Sequence, residues 1–293
     1  MVRNVITIAN GKGGVGKTSI AANLAGIAAA AGWRVLAVDL DPQGNLGSDL
    51  GYRQKSRSDD GQGLYEAVVR RQVPTVLEGV RSGLDAIPGG RYNRMLADHL
   101  TVGRATDPDS VMGVARALAP LTPRYDLVVI DGPPAGGSLI DSALAASRWV
   151  IVPIRADEGS LDGLELIATS FDLLKDRTDV DVELMGVALF DVPVQASAVK
   201  DAIRSVVRAE LGEVAPMFDA VIRSSHRSAF DMRRFGLLAH EYHARAIQAL
   251  SSVRERIEAQ RLGGEVERFS RASAGLSADY HDLTAEILTR FLA

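Results

Sequence analysis

The sequence predicts an α/β protein: a mostly parallel, twisted sheet with helices on both faces. Three observations carry this reading. Short runs of Val, Ile and Leu recur along the chain, and the stretches between them are long enough to hold crossover helices. The first run leads through a glycine-rich loop into an alanine-rich segment of helical character.

Taken in order, the strands are expected at Val5–Ala9, Val35–Asp39, Asp126–Ile130, Trp149–Ile154 and Leu184–Phe190. Thr18–Ala31 reads as the first helix, with Gly32 as its stop and small side chains suited to close packing on a sheet. Ser56–Gly63 is polar and reads as a loop before a helix that starts near Leu64. Ala196–Leu211 and Glu241–Leu262 read as amphipathic helices, and Gly263-Gly264 breaks a long C-terminal arm. Ala278–Leu292 is the last helix, with Leu283, Ile287 and Phe291 on one face. The 293 residues show neither an internal repeat nor a linker, so residues 1–293 are read as one domain although a soft prior of ~150 residues per domain allows two.

Composition narrows the chemistry. Apolar residues make up 46% and charged ones 24%, the balance of a folded globular chain rather than a disordered or collagen-like one. With no cysteine, disulfides, thiolate metal sites and a Cys nucleophile are excluded, which leaves oxygen or imidazole ligands and puts Mg²⁺ first. The net charge of −4 excludes a uniformly basic coat, so any nucleic-acid footprint must be local. No secretory signal or run of ~20 apolar residues is present, and a cytoplasmic location is expected. Only five of the 33 basic residues are Lys, and two of these, Lys12 and Lys17, stand in one loop.

That loop, Gly11-Lys12-Gly13-Gly14-Val15-Gly16-Lys17-Thr18, fits the phosphate-loop pattern of Gly, four residues, Gly, Lys and Ser or Thr. Its backbone N–H groups and the following helix N-terminus, with Ser19 next in line, form a cradle for a triphosphate. Lys17 is expected at the β- and γ-phosphates and Thr18 on Mg²⁺. Gly11, Gly13 and Gly16, with Asp39 ending the next strand, also spell a dinucleotide fingerprint. Lys17-Thr18 decides against it, because a dinucleotide site has no use for an ammonium and a hydroxyl there. Asp131, closing the apolar run Leu127–Ile130, is expected to hold Mg²⁺ through a water. Asp41, before Pro42, is the acid chosen to position the attacking water, since a loose transition state asks for orientation more than for a strong base.

With Lys12 and Lys17 in the loop, Asp39-Leu40-Asp41-Pro42-Gln43-Gly44-Asn45, and Asp131-Gly132-Pro133-Pro134, the sequence resembles the ParA/MinD family of deviant-Walker P-loop ATPases, most strongly the Soj-like partition branch. The resemblance extends to 157–164 and Phe218–Ile222. It implies an ATP-driven sandwich homodimer that binds DNA without sequence preference on the nucleoid. A ParB-like centromere-binding partner would stimulate an otherwise slow ATP hydrolysis. It further implies that Lys12 reaches the partner subunit's nucleotide, alongside catalytic roles for Lys17 and Asp41 and magnesium roles for Thr18 and Asp131. The chain departs from the family at Phe190 and Asp191, where a polar residue commonly reads adenine, and at Arg223-Ser224, which replaces Pro-Arg. The segment 241–273 is longer than the usual connection, so an extra helical element is expected there.

The resemblance leaves rivals. A MinD-like membrane-positioning ATPase would end in a basic amphipathic helix, whereas Leu283–Phe291 is flanked by Asp282 and Glu286 against Arg290 alone, so no membrane partner is expected. A nucleotide-gated scaffold with negligible hydrolysis is countered by Asp41. For DNA, Arg223, Arg227, Arg233 and Arg234, with His226, meet only Asp231 between 223 and 234, and the resemblance places Arg227 at a DNA-contacting position. Doubled in a dimer, such a patch offers about 6–8 phosphate contacts. Lys200, Arg204 and Arg208 are the second basic candidates.

Overall fold

The computed structural model describes residues 4–134, 137–155, 167–174, 180–193, 204–205, 207, 216–251, 270 and 272–293. The strands are β1 Val5–Ile8, β2 Val35–Asp39, β3 Leu77–Arg81, β4 Leu84–Ile87, β5 Leu127–Asp131, β6 Trp149–Ile154, β7 Glu183–Val192 and β8 Met217–Arg223. Among the described residues they form one sheet in the order β3-β4-β2-β5-β1-β6-β7-β8, parallel throughout except for the β3/β4 hairpin. The helices used below are α1 Lys17–Ala30, α2 Asn45–Asp49, α3 Gln62–Arg70, α4 Tyr92–Thr106, α5 Gly113–Leu118, α6 Ser138–Ala145, α7 His226–Phe235, α8 Ala239–Ser251 and α9 Ser273–Leu292.

Side-chain alternation sends the core residues of the central strands to the two faces of the sheet. Ile6 and Ile8 of β1, Val35 and Ala37 of β2 and Val129 of β5 pack with α1, α8 and α9. Val5, Leu36, Val38, Val128 and Ile130 point to the other face, among residues of α3, α4, α5 and α6. Burial of both faces explains why these strands read as continuous apolar runs rather than alternating ones. The alanines of α1 let it lie close to its neighbours: Gly26 packs so tightly that an added Cβ would sit 2.0 Å from Leu238 Cδ1.

Val35–Asp39 and Trp149–Ile154 appear with the predicted bounds and the other three predicted strands with ends shifted by a residue or two, Asp131 becoming the last residue of β5 rather than the first beyond it. The β3/β4 hairpin was not predicted. Leu77-Glu-Gly-Val-Arg81 lies at the sheet edge with its middle exposed, so burial imposed no apolar pattern on it. β8, legible only through the Phe218–Ile222 match, is the opposite edge. Its backbone N–H groups at Asp219 and Ala220 donate to Glu286 of α9 (2.8 and 2.7 Å), and that of Arg223 donates to Asp279 (2.9 Å). These carboxylates occupy the ladder donors that a foreign strand would need.

α9 begins at Ser273 rather than Ala278, and the predicted face is seated in the core, with Leu283 and Ile287 buried and Phe291 against Trp33. Of the helical element expected over 241–273 the structure describes α8, which starts at Ala239 and runs to Ser251, while 252–269 with Gly263-Gly264, like the segment 157–164 and most of Ala196–Leu211, lies outside the described residues.

Gly236 ends α7 in the left-handed region (φ 62°), and an added Cβ there would stand 2.4 Å from Gly51 Cα, itself at φ 72°. Two backbones thus cross where no side chain fits. Gly236→Ala is expected to lower unfolding stability by at least about 1–3 kcal/mol, read as a fall in the urea midpoint.

Candidate active site

The site forms at the carboxyl edge of β1, β2 and β5, where register aligns Ile8 with Asp131 and Asp39 with Asp131. Past β1, Asn10 ties the loop down: its Nδ2 donates to Pro153 O of β6 (2.7 Å) and its Oδ1 accepts from Lys12 N (2.8 Å). Val15 is buried as a wedge. Gly16 turns the chain into α1 at φ 91°, and the Phe190 ring lies where its Cβ would be, at 2.4 Å. Only glycine meets both demands at this position.

Lys17 is buried, and its Nζ donates to Lys12 O (2.7 Å). Burial lowers its pKa from the usual lysine value, against the pull of Asp131 and Asp41. The two strand-end acids differ sharply. Asp39 is buried and its pKa is pushed well up, first by burial and next by Asp131. Its oxygens nevertheless accept from Asp41 N (2.9 Å) and Leu46 N (3.2 Å), so it is spent on the loop and on α2.

Asp131 is equally buried, yet among the described residues neither carboxylate oxygen has a hydrogen-bond partner. Burial raises its pKa to about 8; the Thr18 hydroxyl and Lys17 pull it down without meeting it in hydrogen-bonding geometry, while Asp41 pushes it up. A buried carboxylate left unpaired is costly unless a cation compensates it. A hard oxygen donor beside a Thr hydroxyl is the ligand chemistry Mg²⁺ takes, so the residues present fit that ion.

Asp41 Oδ1 accepts from Gln43 N (2.8 Å), which aims this buried acid at the end of the cavity nearest the loop. That cavity, of about 540 Å³, runs from Gly13–Ser19 past Asp41 and Asp49 to a wall containing Phe190, Ile222, Leu276 and Tyr280. Arg155 and Asp191 form an ion pair along it, with Asp191 at φ 58°.

The four arginines of the predicted basic patch fare differently. Arg223 is bidentate to Asp279 (2.6 and 2.7 Å), and Arg233 grips Asp49 (2.7 and 3.4 Å). Arg227 engages Asp231 through Nε (3.0 Å) while its side chain stays 66% exposed, and the exposed Arg234 lies over the Phe235 ring. Counting charges along 223–234 missed Asp49 and Asp279, which arrive from other elements. Asn93 was missed as well: buried at the start of α4, it donates to Asp39 O (3.0 Å) and Asp41 O (3.4 Å), and an Asn outside any motif offers no sequence signal.

A family model described as an AAA domain matches residues 3–184. The chromosome partitioning protein ParA of Myxococcus xanthus is 35% identical over 193 residues, 64% of this chain and 65% of that protein, just under two thirds of its length. The Caulobacter vibrioides protein of the same name is 33% identical over 225 residues, 74% of this chain and 79% of that one. The chain belongs to the ParA family. Its fold is likewise that of a Cyanothece McdA variant in complex with ATP, at TM-score 0.73 and 20% identity over 98% of this chain and 96% of that one.

Two outcomes test the site. Lys17→Ala should weaken Mg²⁺–ATP binding about tenfold or more by calorimetry, since a charge-assisted contact in a dry cradle is worth ~1.5–3 kcal/mol. Asp131→Asn removes a buried carboxyl whose raised pKa costs the folded state stability at neutral pH, so the nucleotide-free protein should melt higher than its parent while losing the gain that Mg²⁺–ATP adds to the parent. A variant that melts lower and keeps the Mg²⁺–ATP gain would remove Asp131 from the metal site.

Proposed function

We propose that the chain is a dimerising, Mg²⁺-dependent ATPase of DNA partition that binds DNA without sequence preference as its ATP dimer and is stimulated by a ParB-like partner. The observation that carries the nucleotide chemistry is the buried, unpartnered Asp131 beside Thr18 at the end of a phosphate loop. Family membership supports partition as the setting. Thr18 and, through a water, Asp131 would hold Mg²⁺, which neutralises charge on the phosphate oxygens when bound.

The remaining steps belong to this chain's own side chains. The loop N–H groups and the α1 N-terminus bind the phosphates, and Lys17 exchanges the Lys12 carbonyl for phosphate oxygen. Asp41, held by Gln43 N, orients the attacking water by accepting its hydrogen bond. Lys12, at the loop rim, adds charge to the partner subunit's nucleotide, which couples dimerisation to hydrolysis. On DNA, Arg227 and Arg234 carry the contact. Arg223 and Arg233 are already bidentate to acids of other elements and stand outside this contact.

Two measurements test this reading. Lys12→Gln should bind ATP yet stay monomeric in sedimentation, because the cradle within one subunit survives while the contact across the interface is lost. Normal ATP-dependent dimers would move the trans contact to another residue. With two arginines per protomer the dimer makes about four phosphate contacts, so raising salt from 50 to 200 mM should cost roughly 10²-fold in ATP-dependent DNA affinity. Arg227→Glu with Arg234→Glu should abolish that binding, and a retained, equally salt-sensitive affinity would clear α7 of the role.

A further inference from the structure

Arg233 lies in the same helix as Arg227 and Arg234, and although its side chain is 48% exposed its guanidinium reaches a carboxylate at the end of α2. It grips Asp49 at the C-terminus of α2, and Asp49 Oδ2 also faces Ser19 Oγ (3.4 Å), the residue after Thr18. α2 is a five-residue helix, too short to hold its place by its own hydrogen bonds. Its start follows Asp41 directly through Pro42-Gln43-Gly44, so wherever α2 sits, the Asp41 loop goes with it.

What fixes α2 comes from two sides. At its start, Asp39 accepts from Leu46 N. At its end stand the contacts to the corner between α7 and α8. Besides the Arg233–Asp49 pair, Gln54 Nε2 bridges Ser48 O and Arg233 O (3.0 Å each), and Arg81 links Leu50 O (2.8 Å) to Gly236 O (3.1 Å). Arg53 Nη1 then holds the Gln43 and Gly44 carbonyls of the Asp41 loop itself (2.8 and 3.4 Å). Of these contacts the Arg233–Asp49 pair joins two charged side chains, with Asp49 largely buried, and it is the one that reaches the phosphate-loop helix through Ser19.

We propose that Arg233 is a positioning residue for hydrolysis rather than a DNA contact: through Asp49 it holds α2, and with it Asp41, against the phosphate loop, so that a load on α7 is felt at the water-positioning acid. The hydrolytic part rests on the ATPase reading above. The mechanical part, that Arg233 braces 43–50, stands apart from it.

Arg233→Gln and, from the other side, Asp49→Asn are the test, with Arg233→Lys to keep the charge while losing the two-pronged contact. Steady-state hydrolysis should show kcat down about tenfold or more, because small displacements of a positioned group are expensive. KM for ATP should stay within about threefold of the parent. DNA affinity of the ATP-loaded variants should remain within about threefold, and Arg233→Lys should recover part of the lost kcat. Amide hydrogen exchange of the nucleotide-free protein should quicken at 43–50 in Arg233→Gln. A variant with parental kcat but weakened DNA binding and a salt slope lower by about one per protomer would overturn the proposal and make Arg233 a DNA contact. A rise in KM with kcat kept would also overturn it. Should the parent itself not hydrolyse ATP, the ATPase reading fails, and exchange then decides the brace: faster exchange at 43–50 sustains it and unchanged protection ends it.

Discussion

Two carboxylates buried side by side set the terms for the rest of this molecule. Parallel register of β2 and β5 brings Asp39 level with Asp131 at the carboxyl edge, and burial raises the pKa of each. Like charges in a dry site are tolerated only when other groups compensate them. Backbone N–H groups of Asp41 and Leu46 do this for Asp39, and in doing so they fix the Asp41 loop and the start of α2. Among the described residues Asp131 has no such partners, the feature on which its proposed role toward a cation rests. Lys17, buried and turned onto the Lys12 carbonyl, is the complementary case of a cation held where an anion belongs.

The division of labour between arginine and lysine follows from the same pressure on charge. Planar guanidinium groups tie distant elements together: Arg81 to Glu241, Arg223 to Asp279, Arg233 to Asp49 and Arg34 to Asp126. Each matches a carboxylate with directed hydrogen bonds, a geometry an ammonium does not offer. Of the five lysines, two stand in the phosphate loop. An arginine-rich stretch in this chain is therefore as much internal fastening as surface, and α7 contains both kinds.

The ends of the sheet show how the fold protects this edge-on arrangement. α9 covers β8 with apolar side chains and also blocks its free N–H groups with Glu286 and Asp279. The same helix supplies Leu276 and Tyr280 to the wall of the nucleotide cavity. One element thus closes the sheet and shapes the site.

Sequence alone determined the phosphate loop, the strand-ending acids and the parallel sheet, because each is a local pattern: glycine spacing, a charge closing an apolar run, and continuous apolar strands buried on both faces. It also proposed different roles for Asp41 and Asp39; in the structure Asp39 accepts from the backbone N–H groups of Asp41 and Leu46, and Asp41 from that of Gln43. Only the tertiary structure decided which arginines are committed to distant acids. Asp49 stands 184 positions from Arg233 and Asp279 stands 56 from Arg223, and no local charge count reaches that far. The edge strand β3 and the amide Asn93 were hidden as well. An exposed edge strand needs no apolar pattern, and a buried amide that bridges two carbonyls acquires its meaning only when the chain has brought those carbonyls to it.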